Sequence, residues 1–174
     1  MLIRLENDRF DAVEDRFAPV GEDEALPETG AVILSLSRFQ ADGAALLAAG
    51  RDVGVRIAPA DRVEELVCDL PRLALVALDF PKYRDGRAYS SAVLLRESFG
   101  FDGEVRAVGD VLIDQAWNMV RCGFDAFETT VGPNAWAAAA RRYRHVYQAS
   151  ADDRPPAFVE RRQAAARRLA PQDG

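Results

Sequence analysis

The sequence predicts an α/β domain built on a mostly parallel open sheet with helices on both faces and a short N-terminal strand pair. Short apolar runs, typical of strands buried on both faces, alternate with stretches of helical spacing. Gly and Pro residues lie at the boundaries between these segments and indicate turns there. Because such alternation requires right-handed crossovers, the strands are expected to run parallel. A partial barrel of the TIM type is the alternative arrangement of the same units.

The length of 174 residues is typical of one domain, which we place at residues 1–150. Two short strands are expected near its start, at 2–5 and at about 16–20. The polar stretch between them contains the pair Asn7-Asp8, which suits a turn. Residues 151–174 begin with polar residues and two prolines, so we expect a linker and a peripheral helix there.

Five further strands and five helices follow in alternation. The strands are expected at 31–36, 53–57, 73–78, 103–108 and 126–131, and the helices at 42–49, 61–70, 85–99, 111–122 and from Pro133 onward. Asp110 precedes an apolar-periodic run and is the expected N-cap of its helix. Gly123 is expected to end that helix in a left-handed conformation, and Pro133 to occupy the first position of the next.

Charge and composition exclude several classes of protein. Residues 1–30 hold nine acids against three arginines, which accounts for the whole net charge of −6. The absence of a basic stripe argues against nucleic-acid binding. No secretory signal and no apolar run of about 18 residues occurs, so we expect a cytoplasmic protein that does not span a membrane.

The cysteines and the single histidine offer little redox or metal chemistry. Cys68 and Cys122 are far apart, which excludes a CxxC motif and an all-cysteine metal site, and His145 lacks metal-ligating neighbours. Cys68 is expected in the core. Cys122 is a weak redox candidate, because it is expected at the C-terminal end of a helix, and that end raises the pKa of a thiol. No nucleotide-binding or hydrolase signature occurs, so no cofactor is expected.

The loop after the third of these strands is the densest group of functional side chains. In parallel sheets, ligands bind outside the carboxyl ends of the strands. Cations there, beside a helix start and two hydroxyl groups, suit an oxyanion such as sulfite, sulfate or phosphate. The anion-binding candidates are Arg84, Arg87, Tyr89, Ser90 and Arg96, with Lys82 beside them. Alternatively, Asp85 caps the helix, and Arg84 and Arg87 pair with Asp79, Asp110 or Asp114.

A second group of polar residues is expected at the same edge. Asp110 and Asp114 are one helical turn apart, so both carboxylates would lie on one helix face. Such a pair could bind a divalent cation or do acid–base chemistry, but nothing nearby completes a metal shell, and a cap with salt bridges is the favoured interpretation. The polar rim candidates are Asp85, Arg106, Asp110, Asp114 and Gln115.

Three segments between Asp79 and Phe127 carry a family resemblance. They are Asp85-Gly86-Arg87-Ala88-Tyr89-Ser90, Arg106-Ala107-Val108-Gly109-Asp110-Val111-Leu112 with Asp114-Gln115, and Arg121-Cys122-Gly123-Phe124-Asp125-Ala126-Phe127. This block resembles a bacterial domain family of unknown function whose members are labelled probable oxidoreductases involved in sulfite reduction. The resemblance implies a place beside sulfite reductase in assimilatory sulfate reduction. It assigns no catalytic residue.

Three functional hypotheses follow. The first is an accessory protein of sulfite reduction that binds an oxyanion or docks on sulfite reductase subunits. The second is an oxidoreductase acting in sulfite reduction, and the third is a scaffold without a small ligand. A homodimer is consistent with the large aromatic residues near the C-terminal end, Trp117, Trp136, Tyr143 and Tyr147.

Overall fold

The computed structural model describes residues 1–143, 145–152 and 154–169, in which eight strands form one sheet. The strands are β1 (Leu2–Glu6), β2 (Arg9–Val13), β3 (Phe17–Pro19), β4 (Ala31–Ser35), β5 (Val53–Ile57), β6 (Leu75–Phe80), β7 (Glu104–Gly109) and β8 (Ala126–Glu128). The helices are α1 (Leu36–Ala48), α2 (Arg87–Val93), α3 (Ala116–Arg121), α4 (Pro133–Ala140) and α5 (Ala157–Leu169). None of these helices is long and apolar enough to cross a membrane.

The strand order confirms the predicted α/β class and the mostly parallel sheet. The order is β2-β1-β8-β7-β6-β5-β4-β3, and the five pairs from β3–β4 to β7–β8 are parallel. β1 pairs antiparallel with both β2 and β8, which confirms the N-terminal strand pair, although its second member is Arg9–Val13 and not residues 16–20.

The two edges of this sheet are joined by a very short link. β2 and β3 are the edge strands, yet only residues 14–16 separate them in the chain. Since an extended chain spans at most about 3.6 Å per residue, Val13 and Phe17 lie within roughly 15 Å of each other. The sheet therefore curls into a half-barrel, the alternative arrangement, and residues 14–16 cross its open side.

Helices α1 to α4 pack on one face of the sheet. The main core joins them to alternate strand residues such as Val55, Leu78 and Ala107. The other, concave face has a small apolar cluster without any helical residue: Phe17, Ile33, Leu75, Ala77 and Val108. Among the described residues, α1 to α4 therefore cover one face and not both as expected, because consecutive strands added in one direction by crossovers of one hand place their helices on the same side.

Several predicted helices differ in type or extent. The predicted helix 61–70 is wrong: residues there form 3-10 turns at Val63–Leu66 and Leu70–Arg72. The helix that contains α2 ends in a π-helical turn, Leu94–Ser98. The helix predicted from 111 starts as a 3-10 turn at Ile113–Gln115, so Asp110 lies before it and is not its N-cap.

The two other helix ends are as predicted. Gly123 has φ +97°, and the amides of Gly123 and Phe124 donate to the carbonyls of Val120 and Met119 at 3.0 and 3.1 Å. These paired bonds close α3 in the Schellman arrangement, which needs a left-handed residue. Pro133 begins α4, after the N-cap Gly132. The predicted helix over 157–174 begins at Ala157, and residues 170–174 lie outside the described residues.

Candidate functional site

The loops that follow β6 and β7 meet at the carboxyl edge of the sheet. The amide of Tyr83 donates to Asp110 Oδ2 at 3.0 Å, and Gln115 Nε2 donates to the carbonyl of Tyr83 at 2.8 Å. The Asp110 amide donates to the Phe80 carbonyl at 2.7 Å. Two of the polar rim candidates thus contact the first loop through its backbone, and the structure brings them together with Lys82 and Arg84.

The cations of the first loop, residues 81–86, are exposed to solvent. Arg84 lies over the ring of Tyr83, with its guanidinium carbon 5.3 Å from the ring centroid, and its Nε donates to the Tyr83 hydroxyl at 2.7 Å. Among the residues that the structure describes, neither Lys82 nor Arg84 forms a salt bridge. Both charges are therefore available to a ligand.

Arg87 is engaged inside the chain. Its Nε and Nη2 donate to the two carboxylate oxygens of Asp85 at 2.9 and 2.6 Å, and its amide donates to Asp85 Oδ1. This contact lowers the pKa of the Asp85 carboxyl, because the hydrogen bonds from Arg87 favour the charged form. Asp85 thus pairs with Arg87. The alternative interpretation is therefore wrong in both parts, because it made Asp85 the helix cap and paired Arg87 with Asp79, Asp110 or Asp114, whereas the N-cap position belongs to Gly86.

The cleft beside Arg87 is small. It lies between the loop after β5 and the first turn of α2, and its volume is about 10 Å³. This is room for about one water molecule. An oxyanion would therefore bind on the outer surface of the loop and not inside the fold.

Three of the anion-binding candidates, Tyr89, Ser90 and Arg96, lie outside the loop 81–86. The ring of Tyr89 packs in the core against Phe80 and Phe124, with centroids 5.4 and 6.2 Å away. Burial raises the pKa of Tyr89 to about 12, against the opposing effect of a hydrogen bond with Asn118. Ser90 is exposed on the surface of α2.

Arg96 lies at the amino edge of the sheet, opposite the loop. Its guanidinium donates to the carbonyls of Gly103 and Gly123 at 2.7 and 3.0 Å, and to Asp125 Oδ2 at 2.7 Å. Burial raises the pKa of Asp125 to about 6, although Arg96 opposes this shift. Arg96 therefore ties the starts of β7 and β8 together, and we leave it out of the anion site.

Arg106 lies in the middle of β7 on the concave face, with no exposed surface. It donates to Asp15 Oδ2 at 2.6 Å and to Glu104 Oε1 at 2.7 Å, and Arg4 reaches Glu104 Oε2 at 2.6 Å. Asp15 belongs to the link that crosses the open side of the half-barrel. Sequence reasoning missed Asp15, because no local pattern connects it to a residue 91 positions away.

The expected carboxylate pair is not formed on one helix face. Asp110 precedes the 3-10 turn, and Asp114 lies within it and is exposed. In the described part of the chain, no cluster of three or more His, Cys, Asp or Glu side chains has the arrangement of a metal site. Asp110 acts instead as an acceptor for the loop backbone.

One of the two cysteines differs from expectation. Cys68 is exposed and not in the core, because it lies between two 3-10 turns where the expected helix face does not exist. Cys122 is half-buried, and burial raises the pKa of its thiol, while Arg121 opposes the shift. Fewer thiolates at neutral pH make Cys122 a slow nucleophile.

The family comparison agrees with the region of the resemblance. Residues 54–158, more than half of the chain, match a family model described as a bacterial protein of unknown function (DUF934). No curated protein matches the chain. The matched region includes both loops of the site and ends shortly after α5 begins.

Proposed function

The chain belongs to DUF934, a bacterial family of unknown function, and from this premise we propose that it is an accessory protein of sulfite reduction that binds a small oxyanion. The binding surface is the exposed loop 81–86 at the carboxyl edge of the sheet. The observation behind this proposal is that Lys82 and Arg84 have no carboxylate partner among the described residues, whereas the neighbouring Arg87 has one.

The chemistry of these side chains supports a tetrahedral or pyramidal oxyanion. Arg84 can donate two parallel hydrogen bonds to an anion from its terminal nitrogens, while its Nε bonds the Tyr83 hydroxyl and so restricts the guanidinium. Lys82 adds a compact charge with rotatable donors. The assignment to sulfite, and to a place beside sulfite reductase, rests on the resemblance of the Asp79–Phe127 block.

Calorimetric titration with sulfite, sulfate and phosphate tests the binding. We expect wild-type protein to bind at least one of them, and Arg84→Ala to weaken binding by about tenfold or more, since a hydrogen bond to a charged group contributes about 1.5–3 kcal/mol. Arg9→Ala is the matched control, because Arg9 is similarly exposed on the edge strand β2 and should leave the affinity unchanged. Absence of heat with all three anions would remove the proposal.

Chemical labelling locates the bound anion. Lys82 is the sole lysine of the chain, so acetylation of lysine reports on this loop alone. Saturating oxyanion is expected to slow acetylation of Lys82 but not of the N-terminal amine. Equal protection of both amines would show a nonspecific salt effect and place the ligand elsewhere.

The pathway requires a genetic test. A deletion strain is expected to grow on cysteine but poorly on sulfate as its sulfur source, and wild-type protein should restore growth on sulfate while Arg84→Ala should not. Normal growth of the deletion strain on sulfate would separate this protein from sulfite reduction.

A further inference from the structure

Two side chains from the segment after β7 hold both polar backbone groups of Tyr83. Asp110 accepts the hydrogen bond of its amide at 3.0 Å, and Gln115 donates to its carbonyl at 2.8 Å. Tyr83 lies between Lys82 and Arg84, the two cations of the proposed site. Fixing the backbone of Tyr83 therefore fixes the starting points of both cationic side chains.

The orientation of Gln115 is set by this contact. A carbonyl oxygen only accepts hydrogen bonds, so the amide nitrogen of Gln115 must face Tyr83. The other amide atom, Oε1, is buried and has no partner among the described residues. A buried unsatisfied acceptor is unfavourable. The buried Oε1 therefore costs stability, and the contact of Nε2 with the Tyr83 carbonyl is the one hydrogen bond of the Gln115 side chain among the described residues.

Asp110 reaches the loop because of the glycine before it. Gly109 has φ +92°, and a Cβ at this position would lie 2.5 Å from the Phe80 carbonyl oxygen. Only glycine allows the chain to turn this tightly against the end of β6, where the Asp110 amide bonds Phe80. The backbone at Gly109 and the side chain of Asp110 thus form one unit that contacts the loop.

We infer that Asp110 and Gln115 are positioning residues that clamp the Tyr83 backbone and so preorganise Lys82 and Arg84 for the oxyanion. This inference rests on the proposed function. A loop that is already ordered loses less conformational entropy on binding, which raises affinity without any new contact. Neither residue needs to touch the anion.

The charge of Asp110 makes the inference sharply testable. A carboxylate near an anion site repels the anion, so its removal should tighten binding if charge were its main effect. A positioning role predicts the opposite effect, because removal of the Asp110 side chain would then weaken binding of the anion. We expect Asp110→Ala and Gln115→Met each to weaken binding of the tightest of the three oxyanions by about tenfold, and Asp110→Asn, which keeps an acceptor, to restore most of the affinity. Asp114→Ala, at an exposed neighbouring carboxylate, is the control and should have no such effect.

Hydrogen exchange at the Tyr83 amide measures the clamp without any ligand. Exchange is expected to accelerate at least tenfold in Asp110→Ala, to accelerate less in Gln115→Met, and to stay slow in Asp110→Asn and Asp114→Ala. Slow exchange in Asp110→Ala would overturn the clamp. Faster exchange with unchanged or tighter oxyanion binding would overturn the positioning role.

These readouts separate failure of the inference from failure of the proposed function. If wild-type protein binds no oxyanion, the proposed function fails, and with it the role in binding, while the exchange of Tyr83 still decides whether the clamp exists. Thermal unfolding of each variant identifies loss of the fold. If Asp110→Ala unfolds, Gln115→Met and Asp110→Asn still give opposite expectations for Tyr83 exchange and for affinity.

Discussion

The two thiols show how strongly single residues depend on their surroundings. Cys68 is exposed, whereas Cys122 is half-buried at the end of α3, where burial raises the pKa of its thiol. The Schellman turn at Gly123 directs the chain back into β8 and keeps Cys122 against the core. Reactivity of a thiol depends on its thiolate fraction and on access. The two cysteines are therefore expected to react at very different rates.

Labelling with iodoacetamide at pH 8, followed by mass spectrometry, measures this difference. Cys68 is expected to react at least tenfold faster than Cys122, because Cys68 is exposed while burial raises the pKa of the Cys122 thiol. Cys68→Ser should abolish the fast phase and leave the slow one. Fast labelling of Cys122 in this variant would contradict the burial described above and would revive Cys122 as a redox candidate.

At the scale of elements, the pairing of β6 with β7 determines the position of the site. The two strands are in register from Leu75 with Glu104 to Phe80 with Gly109, so both loops begin at the same level. Gly109 is the last paired residue and has φ +92°. Any side chain there would meet the Phe80 carbonyl and disturb the junction of the two loops.

Gly109→Ala is therefore expected to lower the free energy of unfolding by roughly 2–4 kcal/mol, from the strain of a left-handed residue and the backbone overlap. Urea denaturation measures the change. Gly21→Ala is the control, because a Cβ there makes only ordinary contact with Glu24, 3.5 Å away, and should change stability little. Similar losses in both variants would contradict the close approach at Gly109.

The elements that sequence reasoning missed have weak or shared signals. β2 buries only Phe10, so the alternation that marks a strand is nearly absent. The spacing of Val63 and Leu66, three residues apart, is common to α-helices and 3-10 turns, and both side chains are buried against the sheet. By contrast, β5 is found at the predicted residues 53–57, because β-branched residues alternate there at Val53, Val55 and Ile57, and all three are buried.

At the scale of the whole molecule, Asp15 connects the link across the half-barrel to the middle of β7. It accepts hydrogen bonds from Arg106 and, at 3.0 Å, from the amide of Phe17, the first residue of β3. Arg106 is fully buried, and the carboxylates of Asp15 and Glu104 compensate its positive charge. This ion network joins the open side of the sheet to its centre.

Asp15→Ala is expected to destabilise the protein by about 2–4 kcal/mol, because it leaves part of a buried guanidinium unpaired. The change is measured as a shift of the urea midpoint at pH 7. Asp11→Ala is the matched control: its contact with Arg9 is exposed and 3.6 Å long, so it should contribute less than about 1 kcal/mol. Equal effects of the two substitutions would show that the link is not held by Arg106.

Sequence patterns alone predicted the α/β class, the parallel central strands, the end of α3 at Gly123 and the cationic loop after β6. These features depend on local periodicity and on residues with special backbone requirements. The tertiary structure decided the curl of the sheet, the pairing of Arg106 with Asp15 and the contacts of Asp110 and Gln115 with Tyr83. Each of these contacts joins side chains to partners 27 or more positions away. No periodic pattern in the sequence indicates such contacts, because they form only when strands from separate parts of the chain pair in register.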